Sequence, residues 1–420
     1  MAKHSTALVP IDTWAFGSPD VQAIGRSVDI GLMAEALLYF ERVLLHVTTQ
    51  SQFADLLRWV QRSGDFELFL SLVRDGVITM YDYSFHTGPI SKDGVYSLWN
   101  IQDAVQAAYG TFHRRFLYHR EVEDAVPNSR RRKALYAAFR DRVIEAKADD
   151  FGPAIENARN DFYDSRRNAV IVQAFVDELY RFRKLGRPPE IKAHITPRAD
   201  GLGQDVTWNV SYDKLQELAG ATVPFGNHTP LAAAGVCNRL LWSAATRQCD
   251  LYLGPPMGYL VGDKLYETVR TPARIDQVLV ELKTRVEFPD VRAVVNDGAL
   301  TLTEIVKLRA QAARFRMWLQ SEADRDRDAI VAYHNEVAKE SGLTRAARKS
   351  VAAFGVVGGG ALGGAIGAAA AGPIGGAVGG AAGAGLTYLT DLGAKLGADW
   401  HPVVFAEWLQ DRIAKYVQGK

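Results

Sequence analysis

The sequence predicts an α+β or α/β protein with a helix-rich body and short strands, followed by a C-terminal Gly/Ala-rich helical hairpin. Three observations carry that prediction. Apolar residues recur at 3–4 spacing through much of residues 50–320, the period of helices with one buried face. Short apolar and β-branched runs, VLLHV at 43–47 and VITMYDYSF at 77–85, break that period. From Val351 to Thr390, 40 consecutive residues carry no charge, and 14 of the 37 glycines fall between Gly355 and Gly385.

Taken in order, residues 1–100 read as a small α/β unit. QFADLLRWVQ (52–61) and FELFLSLVRDG (66–76) space their apolar residues as helices, with Gly76 as a C-cap. Residues 101–190 read as helical: YGTFHRRFLYHREVEDAV, then SRRRKALYAAFRDRVIEAKADD with Ser129 as N-cap. NAVIVQAFVDELYRFRKLG follows, stopped at Gly186 by Pro188 and Pro189. Residues 191–300 read as an α/β region. IKAHI (191–195) and VTWNV (206–210) alternate around Gly201–Gly203, a helix begins near Thr229-Pro230, and CDLYLG (249–254) is a short strand. Residues 301–350 are an amphipathic helical connector. Thr301 and Glu304 fit a capping box, and Ile305, Leu308, Ala312, Phe315 and Leu319 form the stripe behind it. Residues 351–390 are the hairpin, and 391–420 an interfacial helix.

Composition narrows the function classes. Apolar residues are 48% and charged residues 23% of 420, which excludes wholesale disorder. Lys+Arg total 49 against Asp+Glu 48, for a net charge of +1. That balance excludes a nucleic-acid binder acting through global charge. The two cysteines, Cys237 and Cys249, exclude a disulfide framework and a cysteine-based zinc site, and both are expected as core thiols in a reducing compartment. The start MAKHSTALVPIDTWAFGSPD lacks an apolar stretch of signal-peptide length, so a cytoplasmic start is expected. No apolar run of membrane-spanning length precedes residue 350, so membrane contact falls to the C-terminal part.

In the uncharged segment, Gly355, Gly359, Gly363 and Gly367 follow one another every four residues, and Gly375, Gly379 and Gly383 repeat the spacing. On helices each series forms a stripe that lets a second backbone approach closely. Gly372 and Pro373 mark the turn between the arms. Arms of 21 and 17 residues would run about 31 and 26 Å, near a hydrocarbon core of roughly 30 Å. Arg345, Arg348 and Lys349 precede the segment and Lys395 follows it, so both ends favour the cytoplasmic side. Trp400, Phe405 and Trp408 are the candidate headgroup anchors of the last helix. Gly and Ala partition poorly into lipid, so insertion coupled to oligomerisation is expected, not constitutive anchoring. Two competing readings are a soluble hairpin buried against the body and a low-complexity tract.

These glycine series resemble the glycine-zipper hairpins of bacterial membrane-perturbing toxins and defence effectors. The resemblance covers about 40 of the 420 residues and implies a membrane-competent, close-packing hairpin. It implies a pore-forming or depolarising effector, with membrane lipid and further copies of the chain as partners. An activating ligand or partner protein of the body is allowed for, and localisation is expected to be cytoplasmic with conditional association at the inner membrane. No cofactor, no metal and no specific nucleic-acid binding are expected.

Chemical motifs are sparse. GPPMGYLVGDK (254–264) has the wrong glycine spacing for a phosphate loop, and no GxSxG or HExxH occurs. A second function is a tethered enzyme, a metal-dependent nuclease or nucleotide-processing protein. Asp263 with Glu281-Leu-Lys283 resembles the Asp…Glu-x-Lys pattern of restriction-type nucleases, in which the carboxylates hold Mg²⁺. Against it, Ile275, Val278, Leu279, Leu282 and Val286 fit a helix, and that pattern needs a strand. The third is a soluble scaffold. Arg130, Arg131, Arg132 and Lys133 are a candidate anion or phosphate contact, with a solvated helix face as the plainer reading. His113 and His119, six apart, do not share a helix face, so no metal is expected there. Asp161 and Asp164 with Arg166 and Arg167 read as a solvated ion-pair face, and His228 as a loop residue before a helix.

Overall fold

The structure is a computed structural model that describes residues 5–12, 21, 23–82, 87–92, 95–100, 112–146, 154–197, 204–219, 228–247, 249–254, 256–269, 291–313 and 316–317. In chain order the elements begin with β1 (Thr6–Pro10), α1 (Ile30–Tyr39), β2 (Arg42–His46), α2 (Gln50–Arg62), α3 (Phe66–Arg74) and β3 (Ile78–Asp82). A hairpin of β4 (Thr87–Lys92) and β5 (Val95–Asn100) follows, then a π-helical turn (His113–Leu117), α4 (Arg120–Ala125), α5 (Ser129–Phe139) and β6 (Val143–Glu145). Then come α6 (Ala154–Tyr163), α7 (Ser165–Phe182), β7 (Ala193–Pro197), β8 (Gln204–Trp208), α8 (Tyr212–Ala219), α9 (His228–Arg247), β9 (Asp250–Leu251), α10 (Met257–Val269), α11 (Val291–Asn296) and α12 (Leu302–Gln311).

The body is α/β. A five-stranded, all-parallel sheet has the order β6-β3-β2-β1-β9. Its strands alternate between two cores, as period-2 geometry requires. Ala7, Val9, Val43, Leu45, Ile78 and Met80 face one cluster, with α1 to α5, α11 and α12. Leu8, Leu44, Tyr81 and Leu251 face the other, with α7, α9 and α10. Burial on both faces is the usual condition of a parallel sheet. A four-stranded antiparallel sheet, β4-β5-β8-β7, stands apart from it. A small cluster of Ala158, Phe162 and Val206 ties that sheet to α6.

Several expectations hold locally. Thr49 and Gln52 cap α2 reciprocally, and Thr301 and Glu304 do the same for α12. Gly76 takes a φ of 71°, the left-handed conformation that follows a helix end. Ile305, Leu308 and Ala312 are buried, whereas Phe315 and Leu319 lie outside the described residues.

Other expectations need correction. The stretches 1–100, 101–190 and 191–300 each contribute at least one strand to the one parallel sheet. Val143–Glu145, read as the tail of a helix, is the edge strand β6 beside β3. The helix before it ends at Phe139, and Asn128, not Ser129, is its N-cap, its side chain accepting from the amides of Arg130 and Arg131. α7 ends at Phe182 and not at Gly186, with Lys184 in the left-handed region at φ 53°. Three strands, β1, β4 and β5, have no counterpart among the predicted ones.

One close approach fixes the C-terminal side of the body to its beginning. Gly31, in the first turn of α1, lies so near α11 that a Cβ there would stand 2.1 Å from the carbonyl oxygen of Arg292. The contact is surrounded by a buried polar knot. Arg292, 1% exposed, donates from Nε to Asp29 Oδ2 at 2.6 Å, and Asn296 Nδ2 donates to Asp29 Oδ1 at 2.9 Å. The Gly31 amide donates back to Asn296 Oδ1 at 2.9 Å. Further along, Arg309 of α12 donates to the carbonyls of Leu37, Phe40 and Glu41, which closes the orphan acceptors at the end of α1.

Candidate functional site

In an open parallel sheet, ligands collect at the carboxyl ends of the strands, where the strand order reverses. Here the order reverses between β1 and β9, because β2, β3 and β6 add on one side of β1 and β9 on the other. The carboxyl edge is polar and buried. Asp12 beyond β1, His46 ending β2 and Asp82 ending β3 are 2%, 1% and 4% exposed. The register places Asp82 directly beside Glu145.

Each group has a defined setting. Gln52 Nε2 donates to Asp12 Oδ1 at 2.6 Å, and Gln52 Oε1 accepts from the Thr48 and Thr49 amides at 2.9 and 2.8 Å. Asp12 is thereby tied to the capping box at the start of α2. Glu145 Oε1 accepts from the Phe112 amide at 2.8 Å. His46 Nδ1 lies 2.8 Å from the Tyr81 carbonyl oxygen. A carbonyl only accepts, so Nδ1 carries the proton in this contact.

On the Leu8, Leu44 and Tyr81 face of these strands, α9 contributes a second polar group. Tyr81 Oη donates to Ser243 Oγ at 3.1 Å, and the Arg247 guanidinium sits 5.7 Å from the centre of the Tyr81 ring. Arg239, 4% exposed, lies one turn before Ser243 on the same helix face. The carboxyl edge carries the carboxylates of Asp12 and Asp82 and the His46 imidazole.

A second polar cluster lies where α6, α7, α9 and α10 meet. Arg167 pairs with Asp263 and, at 3.7 Å from Nε, with Asp161. Asp161 also takes Lys264 and accepts from Asn238 Nδ2 at 2.7 Å. Asp161 and Arg167 are buried, which corrects the reading of them as a solvated ion-pair face. Asp164 instead caps α7, accepting from the Arg167 amide at 2.7 Å. Beside this cluster, burial first and the Asp161 charge second push the Cys237 thiol up to about 12. Burial, then Asp250, pushes Cys249 up to about 12 as well. Both cysteines are free, as expected for core thiols.

The structure separates the other candidate residues. Asp263 lies on helix α10, paired with Arg167. Glu281 and Lys283, its partners in the nuclease pattern, lie outside the described residues. Among the described residues no three His, Cys, Asp or Glu side chains converge to hold a metal ion. His119 caps α4, its Nδ1 accepting from the Glu121 amide at 3.4 Å, and His228 is the first residue of α9 and not a loop residue. Arg130, Arg131, Arg132 and Lys133 form the first turns of α5. Arg131 stacks on Phe66, and Arg132 donates to the carbonyls of Val126 and Pro127 at 3.0 and 2.9 Å.

The glycine stripes Gly355, Gly359, Gly363, Gly367, Gly375, Gly379 and Gly383, the turn Gly372-Pro373, and the anchors Trp400, Phe405 and Trp408 lie outside the described residues. Among the described residues no helix is long and apolar enough to cross a membrane. Sequence reasoning missed Asp12, His46 and Asp82. The signal was a polar residue ending each apolar strand, visible only once the strands are known to be parallel. Comparison of the chain with protein-family models, curated proteins and solved structures gave no match.

Proposed function

We propose that this protein is a membrane-perturbing effector, pore-forming or depolarising, of the kind used in bacterial antiphage defence. Its C-terminal hairpins assemble in the inner membrane through their glycine stripes, and its α/β body restrains them until a trigger arrives. The observation that carries this reading is the pair of four-residue glycine series within 40 uncharged residues, flanked by cations at both ends. The polar carboxyl edge of the sheet, with Asp12, His46 and Asp82, supports the regulatory half as the place where a small polar ligand of the body would bind. Coupling would arise because the ligand favours one of two states of the body, hairpin held or hairpin released.

The experiment is dye leakage from anionic vesicles, comparing the full chain with the same chain carrying Gly363→Leu and Gly379→Leu. Bulk at these positions would prevent backbone approach between helices. Leakage by the wild type and its loss in the double variant, with an unchanged thermal melt, is the expected result. Equal leakage by both would remove the zipper mechanism.

A further inference from the structure

The outer face of α5 is cationic, exposed and unneutralised by its own helix. Residues 129–140 contain Arg130, Arg131, Arg132, Lys133 and Arg140, and no carboxylate. Leu135, Ala138 and Phe139 turn inward. Arg130, Lys133 and Arg140, spaced i, i+3 and i+10, therefore share the outward stripe, and all three are exposed. Among the described residues none of the three pairs with a carboxylate. Two tyrosines border the stripe. Tyr118 is 60% exposed, and its ring packs against Tyr136 with centroids 4.7 Å apart. The carboxylates of Glu121, Glu123 and Asp124 sit on the neighbouring α4, where Asp124 pairs with Arg120 at 3.8 Å.

We propose that this face docks the body onto an anionic lipid bilayer. Charge complementarity selects the partner's sign: three free cations in one row on a protein of net charge +1 make a local patch and not a global field. The tyrosines select a bilayer over a nucleic acid. Their rings stand at 46° to one another, which gives no parallel platform for successive bases, whereas the exposed phenol edge of Tyr118 suits the headgroup region, where tyrosine is enriched. The function of such docking is to hold the body at the membrane surface, where the hairpin's effective concentration against the bilayer is raised. This inference rests on the membrane reading above, but it fails separately from it.

The test is flotation of the full chain with phosphatidylglycerol-containing vesicles, against vesicles of phosphatidylcholine alone. The variant carries Arg130→Gln, Lys133→Gln and Arg140→Gln. Each cation near an anionic surface contributes roughly fivefold in binding, so the variant is expected to bind about 100-fold more weakly. Salt should release the wild type. Arg130→Gln removes a cation from the positive end of the helix dipole, so it favours folding of α5, and a matched thermal melt confirms an intact body. Undiminished flotation of the variant overturns the proposal. So does equal binding of the wild type to phosphatidylcholine, or tighter binding of a single-stranded oligonucleotide than of anionic vesicles through the same three residues. Anionic-specific, variant-sensitive flotation without leakage would keep this docking face while sinking the pore-forming function. Leakage that is lost in the glycine double variant, with flotation unaffected by the triple variant, would do the reverse.

Discussion

Replacing Gly31 with alanine tests the packing of α1 against α11 by the sign of its effect. In an open helix the change would stabilise by up to about 1 kcal/mol, because alanine is the better helix former. Here the added Cβ would stand 2.1 Å from the Arg292 carbonyl oxygen, 2.7 Å from its carbonyl carbon and 2.8 Å from its Cα. These are backbone atoms, so no side chain can turn aside, and α11 must retreat by about 1 Å or more to restore van der Waals distance. Overpacking of this kind costs about 1–3 kcal/mol. The retreat also stretches the Asp29–Arg292 pair, held at 2.6 Å with Arg292 only 1% exposed. Outright loss of a buried pair costs about 3–5 kcal/mol. A net loss of about 3 kcal/mol is therefore expected, or a fall of roughly 6 °C in melting temperature for a body of this size. The assay is a thermal melt followed by circular dichroism, with urea titration to check that the slope is unchanged. Gly298→Ala is the control: its φ of 77° strains an alanine, yet no neighbouring atom lies within 4 Å. That variant should lose only about 1–2 kcal/mol. A melting temperature of Gly31→Ala at or above the wild type would refute the close approach.

Two further outcomes follow from the buried polar groups. Asp263→Asn should destabilise by about 1–3 kcal/mol, because it leaves Arg167 short of a charge partner while Asp161 remains. Mg²⁺ should not shift the melting temperature of the wild type; a Mg²⁺-dependent rise that the variant abolishes would revive the nuclease reading. Cys237 and Cys249, with thiols pushed up to about 12, stay protonated at pH 8 and should react with a thiol reagent at least 100-fold more slowly in the native protein than in denaturant. Their raised values also fix a sign. Below the unfolded value near 9 the two thiols cost nothing, and from about pH 9 to 12 stability falls by about 1.4 kcal/mol per pH unit for each. A native-state reaction as fast as the unfolded one would show that burial does not protect them.

Helices and caps were legible in the sequence because their causes are local. The capping boxes Thr49/Gln52 and Thr301/Glu304 act over three residues, and the stripe Ile305, Leu308 and Ala312 over seven, so spacing alone predicts them. What the tertiary structure decided is non-local. Val143–Glu145 is a strand because β3 offers an open edge 61 or more residues earlier in the chain, Met80 pairing with Val143, while its own sequence continues a helical pattern. Asp161 is buried and not solvated because Arg167, Asn238 and Lys264 converge on it from three other helices. Asp12, His46 and Asp82 fall at one edge of the sheet only because their strands run parallel and adjacent, an arrangement set by crossovers and two-sided burial that no short window of sequence contains. The sequence by itself determined the caps of α2 and α12 and the faces those helices bury, because these causes act within one or two turns; only the assembled sheet determined which polar residues come to its carboxyl edge.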